Sequence, residues 1–393
     1  MLTALKDAYF MNIKLFFILL LISFVTACGG SKDQKDQNLT AELQEIPLDY
    51  AQGFKLFQGP GYKLIEVHQA FPGSDRPFRY LVREEQSSEE PDSSQFDAIL
   101  PHAADRIVLT STTQVPHLDL LGISETLVGF PNLDFISTPS LREKIDAGKV
   151  IDLGSGASYN LEKIMDLQPG LVIISTLGDN MKEVKLLNQV GIPAVINGDY
   201  LEQHPLGRAE WIKFTGALTG RLAEAQESYQ RVKDNYDELK TMGQGIPTAS
   251  KPSILSGNMY KDSWYAPAGN NWGAIFIADA GGKYIFQDKE SDGSLQLSYE
   301  VVLDQGVEAD IWLSTGEYSD LATMGAADPR YRQFEAYKNA QVYTFANTKG
   351  PTGGLEYFEM GYSRPDIILK DLLKIFHPEL VPNYTPYFYK KIN

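Results

Sequence analysis

The sequence predicts an α/β fold of two lobes with parallel-type sheets flanked by helices, bridged by a single long α-helix. Short apolar runs alternate with amphipathic stretches in two blocks, 106–197 and 253–376, which is typical of parallel βαβ units. A stretch with few helix-breaking residues lies between the blocks. One helix-then-strand pattern occurs once in each block. These three observations favour two similar lobes joined by one helix.

The elements of the first block follow from its apolar runs. Strands are predicted over RIVLTS, TLVGF, KVIDLG, LVIIST and PAVIN. Helices are predicted over 116–121, from Asn160 onward and over 180–190. Two earlier runs with alternating polarity, YKLIEVHQAF and PFRYLVREE, predict strands that precede this lobe.

The stretch after Gly220 predicts the bridging helix. Apolar residues recur there at helical spacing, and they are Leu222, Ala225, Tyr229, Val232, Tyr236 and Leu239. The pattern predicts a helix of about 20 residues, or about 30 Å.

The second block repeats the alternation. Strands are predicted over SILSG, KYIF, DIWLST and VYTF. Helices are predicted over NWGAIFIADAGG, from Ser298, within PRYRQFEAYKNA and over RPDIILKDLLKIF.

The N-terminus predicts export and a lipid anchor. The apolar run Leu15–Ala27 has 13 residues, too few for a stable membrane span, and follows a short basic start at Met11, which we take as the alternative initiation site. The motif VTAC, ending at Cys28, resembles the bacterial lipobox, in which the cysteine is lipidated. The alternative is that Cys28 occurs by chance in a signal peptide that is cleaved at another site. The predicted product is a bacterial lipoprotein of the periplasm or cell envelope, tethered to the bilayer through Cys28.

The domain boundaries follow from these patterns. We predict a signal peptide over 1–27, a lipidated cysteine and flexible tether over 28–45, a first lobe over 46–205, a linking helix region over 206–245 and a second lobe over 246–393.

Composition excludes several classes of function. The formal net charge is −16 and no Lys/Arg-rich tract is present, which argues against a nucleic-acid partner. The single cysteine excludes a disulfide within the chain and cysteine-based metal sites. The five histidines are scattered without metal-ligand spacing, and no G-x-S-x-G or H-E-x-x-H motif occurs. We therefore predict no catalytic residues, no resident metal and no cofactor.

The repeated pattern places a glutamate at the same point in both blocks. NLEKIMDLQPGLVII and SYEVVLDQGVEADIWL each begin with a capping residue, an apolar residue and a glutamate, and each leads into a strand. A glutamate in the first helical turn is stabilised by the helix dipole, by about 0.3–1 kcal/mol. Capping alone therefore explains either Glu162 or Glu300 singly, but the pairing favours a shared role.

A ligand site is predicted where the strands of both lobes end. The loops expected there are 110–117, 130–135, 154–159 and 176–180 in the first lobe, and 257–272, 315–318 and 347–364 in the second. The candidate ligand contacts in these loops are Phe130, Tyr159, Tyr260, Trp264, Tyr265, Trp272, Tyr318, Glu356, Tyr357 and Arg364. Aromatic walls suit large, flat or greasy chelates. The alternative is that two of Tyr260, Trp264, Tyr265 and Trp272 are ordinary core residues, Trp272 first among them. For Arg364, Glu356 and Tyr357 an ordinary structural role is the alternative.

Lipobox, α/β lobe, long helix and second α/β lobe together resemble the helical-backbone class, class III, of substrate-binding proteins of ABC importers. The most specific segments are VIDLGSGASYNLEKIMDLQPGLVIIST, KLLNQVGIPAVIN and GYSRPDIILKDLLKIFHPE. The resemblance implies capture of a ferric siderophore, cobalamin or haem between the lobes and delivery to a permease and its ATPase. It also implies that Glu162 and Glu300 dock onto permease arginines.

Three hypotheses follow for function. The first is a receptor that binds an iron chelate or cobalamin without turnover, with haem as the alternative ligand. The second is an exported enzyme on the same scaffold, since fold does not fix function. The third is a surface adhesin or assembly lipoprotein whose cleft is filled by side chains.

Overall fold

The computed structural model describes residues 43–84, 92–154, 159–291 and 293–393. Cys28, the predicted signal peptide and most of the predicted tether lie outside the described residues. So does most of the predicted loop 154–159. No helix in the described ranges combines the length and the apolar character that crossing a membrane requires.

The first lobe is built on a five-stranded parallel sheet. Its strands are β6 (Ile107–Leu109), β7 (Leu127–Phe130), β8 (Ile151–Asp152), β9 (Leu171–Ile174) and β10 (Ala194–Ile196). They lie in the order β10-β9-β6-β7-β8. The helices that return between them are α1 (Val115–Leu120), α2 (Pro139–Asp146), α3 (Leu161–Leu167) and α4 (Met181–Gln189). Strands β6, β9 and β10 are buried along their whole length, which explains why they are continuous apolar runs in the sequence.

Three helices lead from the first lobe to the second. They are α5 (Pro205–Glu210), α6 (Ile212–Leu218) and α7 (Leu222–Gln244). Helix α7 has 23 residues, close to the predicted length. Its buried face includes Ala225, Tyr229, Val232 and Tyr236, so the spacing of apolar residues identified the correct face.

The second lobe contains a second parallel sheet with one antiparallel edge strand. Its strands are β11 (Ser253–Ser256), β14 (Lys283–Tyr284), β16 (Ile311–Ser314), β17 (Val342–Thr344) and β18 (Lys390–Ile392). The order is β14-β11-β16-β17-β18, with β18 antiparallel to β17. Its helices are α8 (Trp272–Asp279), α9 (Tyr299–Gly306), α10 (Leu321–Ala327), α11 (Glu335–Lys338), α12 (Glu356–Ser363) and α13 (Pro365–Phe376).

Two further sheets complete the described fold. A small antiparallel sheet in the second lobe comprises β12 (Asn258–Tyr260), β13 (Ser263–Pro267) and β15 (Ser294–Leu297). An N-terminal sheet comprises β1 (Gln44–Ile46), β2 (Phe54–Gly59), β3 (Tyr62–Val67), β4 (Phe78–Arg83) and β5 (Ala98–Leu100). The N-terminal sheet lies beside the first lobe, because the Ile196 amide at the edge strand β10 donates to the Tyr80 hydroxyl at 2.9 Å.

The predicted fold class is confirmed, but three local predictions are wrong. Residues 347–364 were predicted as a cleft loop, yet 356–363 form α12. Residues 257–272 were also predicted as a loop, yet they contain β12 and β13. The helix predicted in PRYRQFEAYKNA is divided into a 3₁₀ turn, Pro329–Gln333, and the short α11.

Candidate functional site

The two lobes meet through a buried carboxylate at the ends of their strands. Glu359, on α12, is 2% exposed. Its oxygens accept hydrogen bonds from the backbone amides of Ser137 and Thr138 at 2.6 and 2.9 Å, and from the Thr138 hydroxyl at 2.5 Å. Ser137 and Thr138 follow β7 and precede α2. One side chain of the second lobe therefore holds a loop of the first.

The glycine-rich segment before α12 makes a second contact between the lobes. The Thr352 hydroxyl donates to the carbonyl of Asp134. A Cβ at Gly350 would lie 2.2 Å from the Ser137 hydroxyl oxygen, and one at Gly354 would lie 2.8 Å from the Phe135 carbonyl oxygen. Only glycine fits such close approaches, so these glycines let the segment pack against the first lobe.

Exposed apolar side chains follow the strands on both sides of this contact. Phe135 and Leu177 in the first lobe are 55% and 71% exposed, and Tyr260 and Phe358 in the second are 64% and 44% exposed. They come after the parallel strands β7, β9, β11 and β17 respectively, Tyr260 as the last residue of β12, which directly follows β11. Single exposed apolar residues are common. A set contributed by both lobes at the carboxyl ends of the strands, here called the strand-end side, is typical of a ligand-binding surface.

Three predicted ligand contacts are core residues, and those predictions are wrong. Phe130, Trp264 and Tyr357 are 1%, 0% and 5% exposed. Trp264 donates its indole N–H to the Ser256 carbonyl at 3.0 Å and stacks on Trp312 at 5.3 Å. Tyr357 stacks on Phe345 at 4.8 Å, and burial raises the pKa of its hydroxyl.

Two other predicted contacts have partners within the protein. The Arg208 guanidinium lies 4.5 Å from the ring centre of Trp272 and 4.5 Å from that of Tyr362. Arg364 forms two hydrogen bonds of 2.8 Å with the Asp366 carboxylate. These interactions fix both side chains, and both residues remain partly exposed.

The remaining predicted contacts keep some exposed surface. Tyr260 and Tyr265 lie edge to face at 6.0 Å on the small antiparallel sheet. Tyr159 accepts a hydrogen bond from Asn180 at 3.1 Å, and burial raises its pKa to about 12. Tyr318 is half-buried after β16. Glu356, at the first turn of α12, accepts a hydrogen bond from the Tyr387 hydroxyl.

A buried polar cluster that was not predicted lies at the ends of β6 and β10. Asp199 accepts a hydrogen bond from the Thr113 hydroxyl at 2.7 Å, and burial raises the pKa of its carboxyl to about 6. Within the part of the chain that the structure describes, no partner is found for the Gln114 amide, the Asn197 side-chain nitrogen or Asp199 Oδ1. Unpaired buried polar atoms cost about 1–3 kcal/mol each, so this cluster can hydrogen-bond water or a ligand.

A cavity of about 470 Å³ is lined in part by residues 201–204, which follow Asp199 of this cluster in the chain. Its walls come from the N-terminal sheet, from 201–204 after β10 and from the start of α8. Sequence analysis missed this cavity because its walls are distant in sequence. Among the described residues, no group of three or more His, Cys, Asp or Glu side chains is arranged to hold a metal ion.

Glu162 and Glu300 occupy equivalent positions. Both are exposed in the first turn of their helices, α3 and α9. The N-cap side chains of Asn160 and Ser298 accept from backbone amides three residues on, at 3.0 and 3.4 Å. The two helices lead into β9 and β16, each paired with the first parallel strand of its lobe's sheet. Each of these helices runs antiparallel to the strands of its sheet, so its N-terminus lies at the carboxyl ends of the strands. Both glutamates therefore lie on that side of their sheets.

The sequence matches a family of known proteins and individual relatives. Residues 107–348 match the family model described as periplasmic binding protein. An uncharacterized lipoprotein of Methanocaldococcus jannaschii is 29% identical over 64% of this chain, and the match spans 59% of that relative's length.

Solved structures show the same fold. A possible iron-binding, periplasmic solute-binding protein of Staphylococcus epidermidis has a TM-score of 0.55 at 22% identity, covering 70% of this chain and 99% of the other. The periplasmic vitamin B12 binding protein of Vibrio cholerae has a TM-score of 0.50 at 16% identity, covering 72% and 100%.

Proposed function

Because the chain belongs to the periplasmic binding protein family, whose model matches more than half of it, we propose that it captures a metal chelate between its lobes. The proposed ligand is a ferric siderophore or cobalamin, with haem as the alternative. The protein would release this ligand to the permease of an ABC importer, which is driven by its ATPase. The reaction is recognition without turnover.

The observation that carries this proposal is the exposed apolar surface contributed by both lobes. Phe135, Leu177, Tyr260 and Phe358 follow four different strands on the strand-end side. Large chelates present extended apolar surface, and binding sites for such ligands are concave, mostly apolar and contain a few polar groups. The buried polar cluster of Gln114, Asn197 and Asp199 lies at the ends of strands on the same side of the first lobe.

The proposed anchor and docking sites place the ligand close to a membrane. Lipidation of Cys28 would tether the folded lobes through the polar segment that follows it. Glu162 and Glu300 would each bind a permease arginine, because a carboxylate accepts two parallel hydrogen bonds from a guanidinium. The naming of the archaeal relative as a lipoprotein supports the proposed anchor.

Titration of the purified chain tests the proposed ligand class. We expect at least one of ferric siderophores, cyanocobalamin and haem to bind with a Kd of about 1 µM or tighter, which corresponds to about −8 kcal/mol. Intrinsic fluorescence reports binding, because 21 Tyr and 4 Trp are present. Absence of binding across the panel would contradict the proposal, and chemical conversion of a bound chelate would favour an enzyme instead.

A further inference from the structure

The cavity of about 470 Å³ is enclosed by three parts of the chain. The N-terminal sheet contributes 50–52 and 68–74, the first lobe contributes 201–204, and the second lobe contributes Asn270 and Ile275. Neither lobe could form this cavity without the N-terminal sheet. Its lining is therefore a property of this chain rather than of the two parallel sheets.

Two buried glutamates hold the N-terminal wall in place. Glu210 accepts hydrogen bonds from the backbone amides of 49–51 at 2.7–2.8 Å. Glu202 accepts from those of Gln52 and Gly53 at 2.9 and 2.8 Å, and from the Trp211 indole at 3.0 Å. Both glutamates are at most 3% exposed. The wall is thus fixed by charge-assisted hydrogen bonds before any ligand arrives.

The loop between β3 and β4 joins the cavity to the candidate ligand site. A Cβ at Gly178, in the loop after β9, would lie 2.9 Å from the Phe71 ring. A Cβ at Gly198, after β10, would lie 1.9 Å from the Gln69 carbonyl oxygen. The loop therefore packs directly against first-lobe residues that follow two strands. The cavity therefore borders the loops that follow β9 and β10, the first of which carries the exposed Leu177.

The lining is rich in side chains that form hydrogen bonds. The described residues that line the cavity include Gln52, Gln69, Gln203 and Asn270 but no lysine or arginine. His204 stacks on Tyr50 at 4.2 Å, and burial lowers its pKa to about 4, so it is neutral at pH 7. Glu202 is the one acidic residue in this lining.

We propose that this cavity is a subsite for an uncharged, amide- or hydroxyl-bearing part of the ligand, and that it rejects ligands with an anionic periphery. The inference rests on the proposed function, since it concerns the same ligand. Side-chain amides both donate and accept hydrogen bonds, so they match amide and hydroxyl groups. Among the described residues of the lining there is no lysine or arginine to pair with an anionic group, His68 lies 3.6 Å from the Glu66 carboxylate, and such a group would lie near Glu202.

Matched ligand pairs test the subsite. Each pair shares a metal centre and differs in peripheral charge: cyanocobalamin and its monocarboxylic acid made by hydrolysis of one corrin side-chain amide, N-acetyl- and N-succinyl-ferrioxamine B, and the diamide of haem and haem itself. Within any pair that binds the purified full chain, we expect the less anionic member to bind about tenfold tighter, a difference of about 1.4 kcal/mol. Equal binding, or preference for the more anionic member, would overturn the subsite.

Charge substitution inside the cavity gives the second arm of the test. Gln69→Arg combined with Gln203→Arg places two cations at exposed positions of the lining, and we expect the preference within the pair to fall about tenfold. Gln230→Arg, on the exposed side of α7, is the matched control and should leave the preference for the less anionic ligand unchanged. If the double variant unfolds, Gln203→Ala alone should weaken the less anionic ligand more than its partner.

The outcomes separate the two proposals. If binding does not depend on peripheral charge, or if the cavity substitutions have no effect on it, the proposed subsite is contradicted. The proposal of chelate capture is unaffected by that outcome. Failure of every pair to bind the wild-type chain contradicts chelate capture, and the subsite falls with it.

Discussion

At the scale of single residues, strand alternation decided which aromatic side chains are available to a ligand. Trp264 and Tyr265 are neighbours in β13, whose burial alternates along the strand. Successive side chains of a strand point to opposite faces, so Trp264 enters the core while Tyr265 keeps exposed surface. Aromatic density alone could not distinguish the two, because the segment was interpreted as a loop.

His117 illustrates a residue whose role is structural. It is 1% exposed, and its Nδ1 lies 2.8 Å from the Thr215 hydroxyl. Burial lowers its pKa from 6.5 to about 3. The side chain is thus held neutral inside the first lobe.

The depressed pKa predicts a loss of stability in acid. Below pH 6.5 the unfolded chain gains a proton at His117 that the folded chain does not. The contribution of neutral His117 to the free energy of unfolding is therefore present at pH 7 and is lost as pH falls towards 3. Between pH 7 and pH 5 this single group lowers the free energy of unfolding by about 2 kcal/mol.

Urea unfolding at pH 7 and pH 5 measures this effect. The His117→Gln variant should lose that part of the pH dependence while being less stable at pH 7. The control, His102→Gln, changes an exposed histidine and should keep the wild-type dependence. An unchanged pH dependence in His117→Gln would contradict the assignment.

At the scale of elements, α12 was missed because its pattern is short and follows a glycine-rich segment. The helix has 8 residues, too few for a clear helical period. It is held by contacts with the other lobe, which include the Glu359 hydrogen bonds. Helices of two turns owe their stability mainly to tertiary packing.

Removing the Glu359 carboxylate should therefore loosen the contact between the lobes. Glu359→Ala leaves three donors of 137–138 without their partner, and we expect the free energy of unfolding to fall by about 3 kcal/mol. Glu359→Gln retains one acceptor oxygen and should cost less.

Urea unfolding and small-angle scattering of the ligand-free chain measure the two effects of Glu359→Ala. We expect a lower transition midpoint together with a larger radius of gyration. Glu227→Ala, at an exposed position of α7, should behave as wild type. Wild-type values for Glu359→Ala would show that other contacts hold the lobes together.

At the scale of the whole molecule, the two capped helices place one carboxylate on each lobe. Hydrogen bonds from its own backbone amide and from Ser298 lower the pKa of Glu300, so the side chain is ionised at neutral pH. A groove of about 700 Å³ lies beside it, lined by residues that include Leu303, Val307 and Arg332. A partner can therefore contact more than the carboxylate.

Simultaneous loss of both glutamates should abolish delivery without affecting capture. For Glu162→Ala with Glu300→Ala, we expect uptake of the chelate by cells of the native host to fall at least about tenfold, because the proposed docking pairs each carboxylate with a permease arginine. The Kd of the purified variant should equal that of wild type.

Glu224→Ala is the matched control, since Glu224 also lies in the first turn of a helix, α7. It should leave both uptake and affinity unchanged. Weakened ligand affinity in the Glu162/Glu300 double variant would instead place these residues in the ligand site.

The two α/β lobes, the bridging helix and the repeated glutamates can be predicted from the amino-acid sequence. These features depend on local periodicity and capping, which are written in consecutive residues. Apolar runs such as β9 must be covered on both faces, so they predict a parallel sheet wherever they occur.

The positions of side chains relative to the cavity and to the contact between the lobes depend on the complete fold. The inter-lobe contact joins Ser137 to Glu359, 222 residues apart. The cavity brings 50–52, 68–74, 201–204 and 270–275 together. The residues that line the cavity share no local sequence pattern, because each belongs to a different segment with its own packing. Their proximity follows from burying the edge of β10 beneath the N-terminal sheet, which is a consequence of the complete fold.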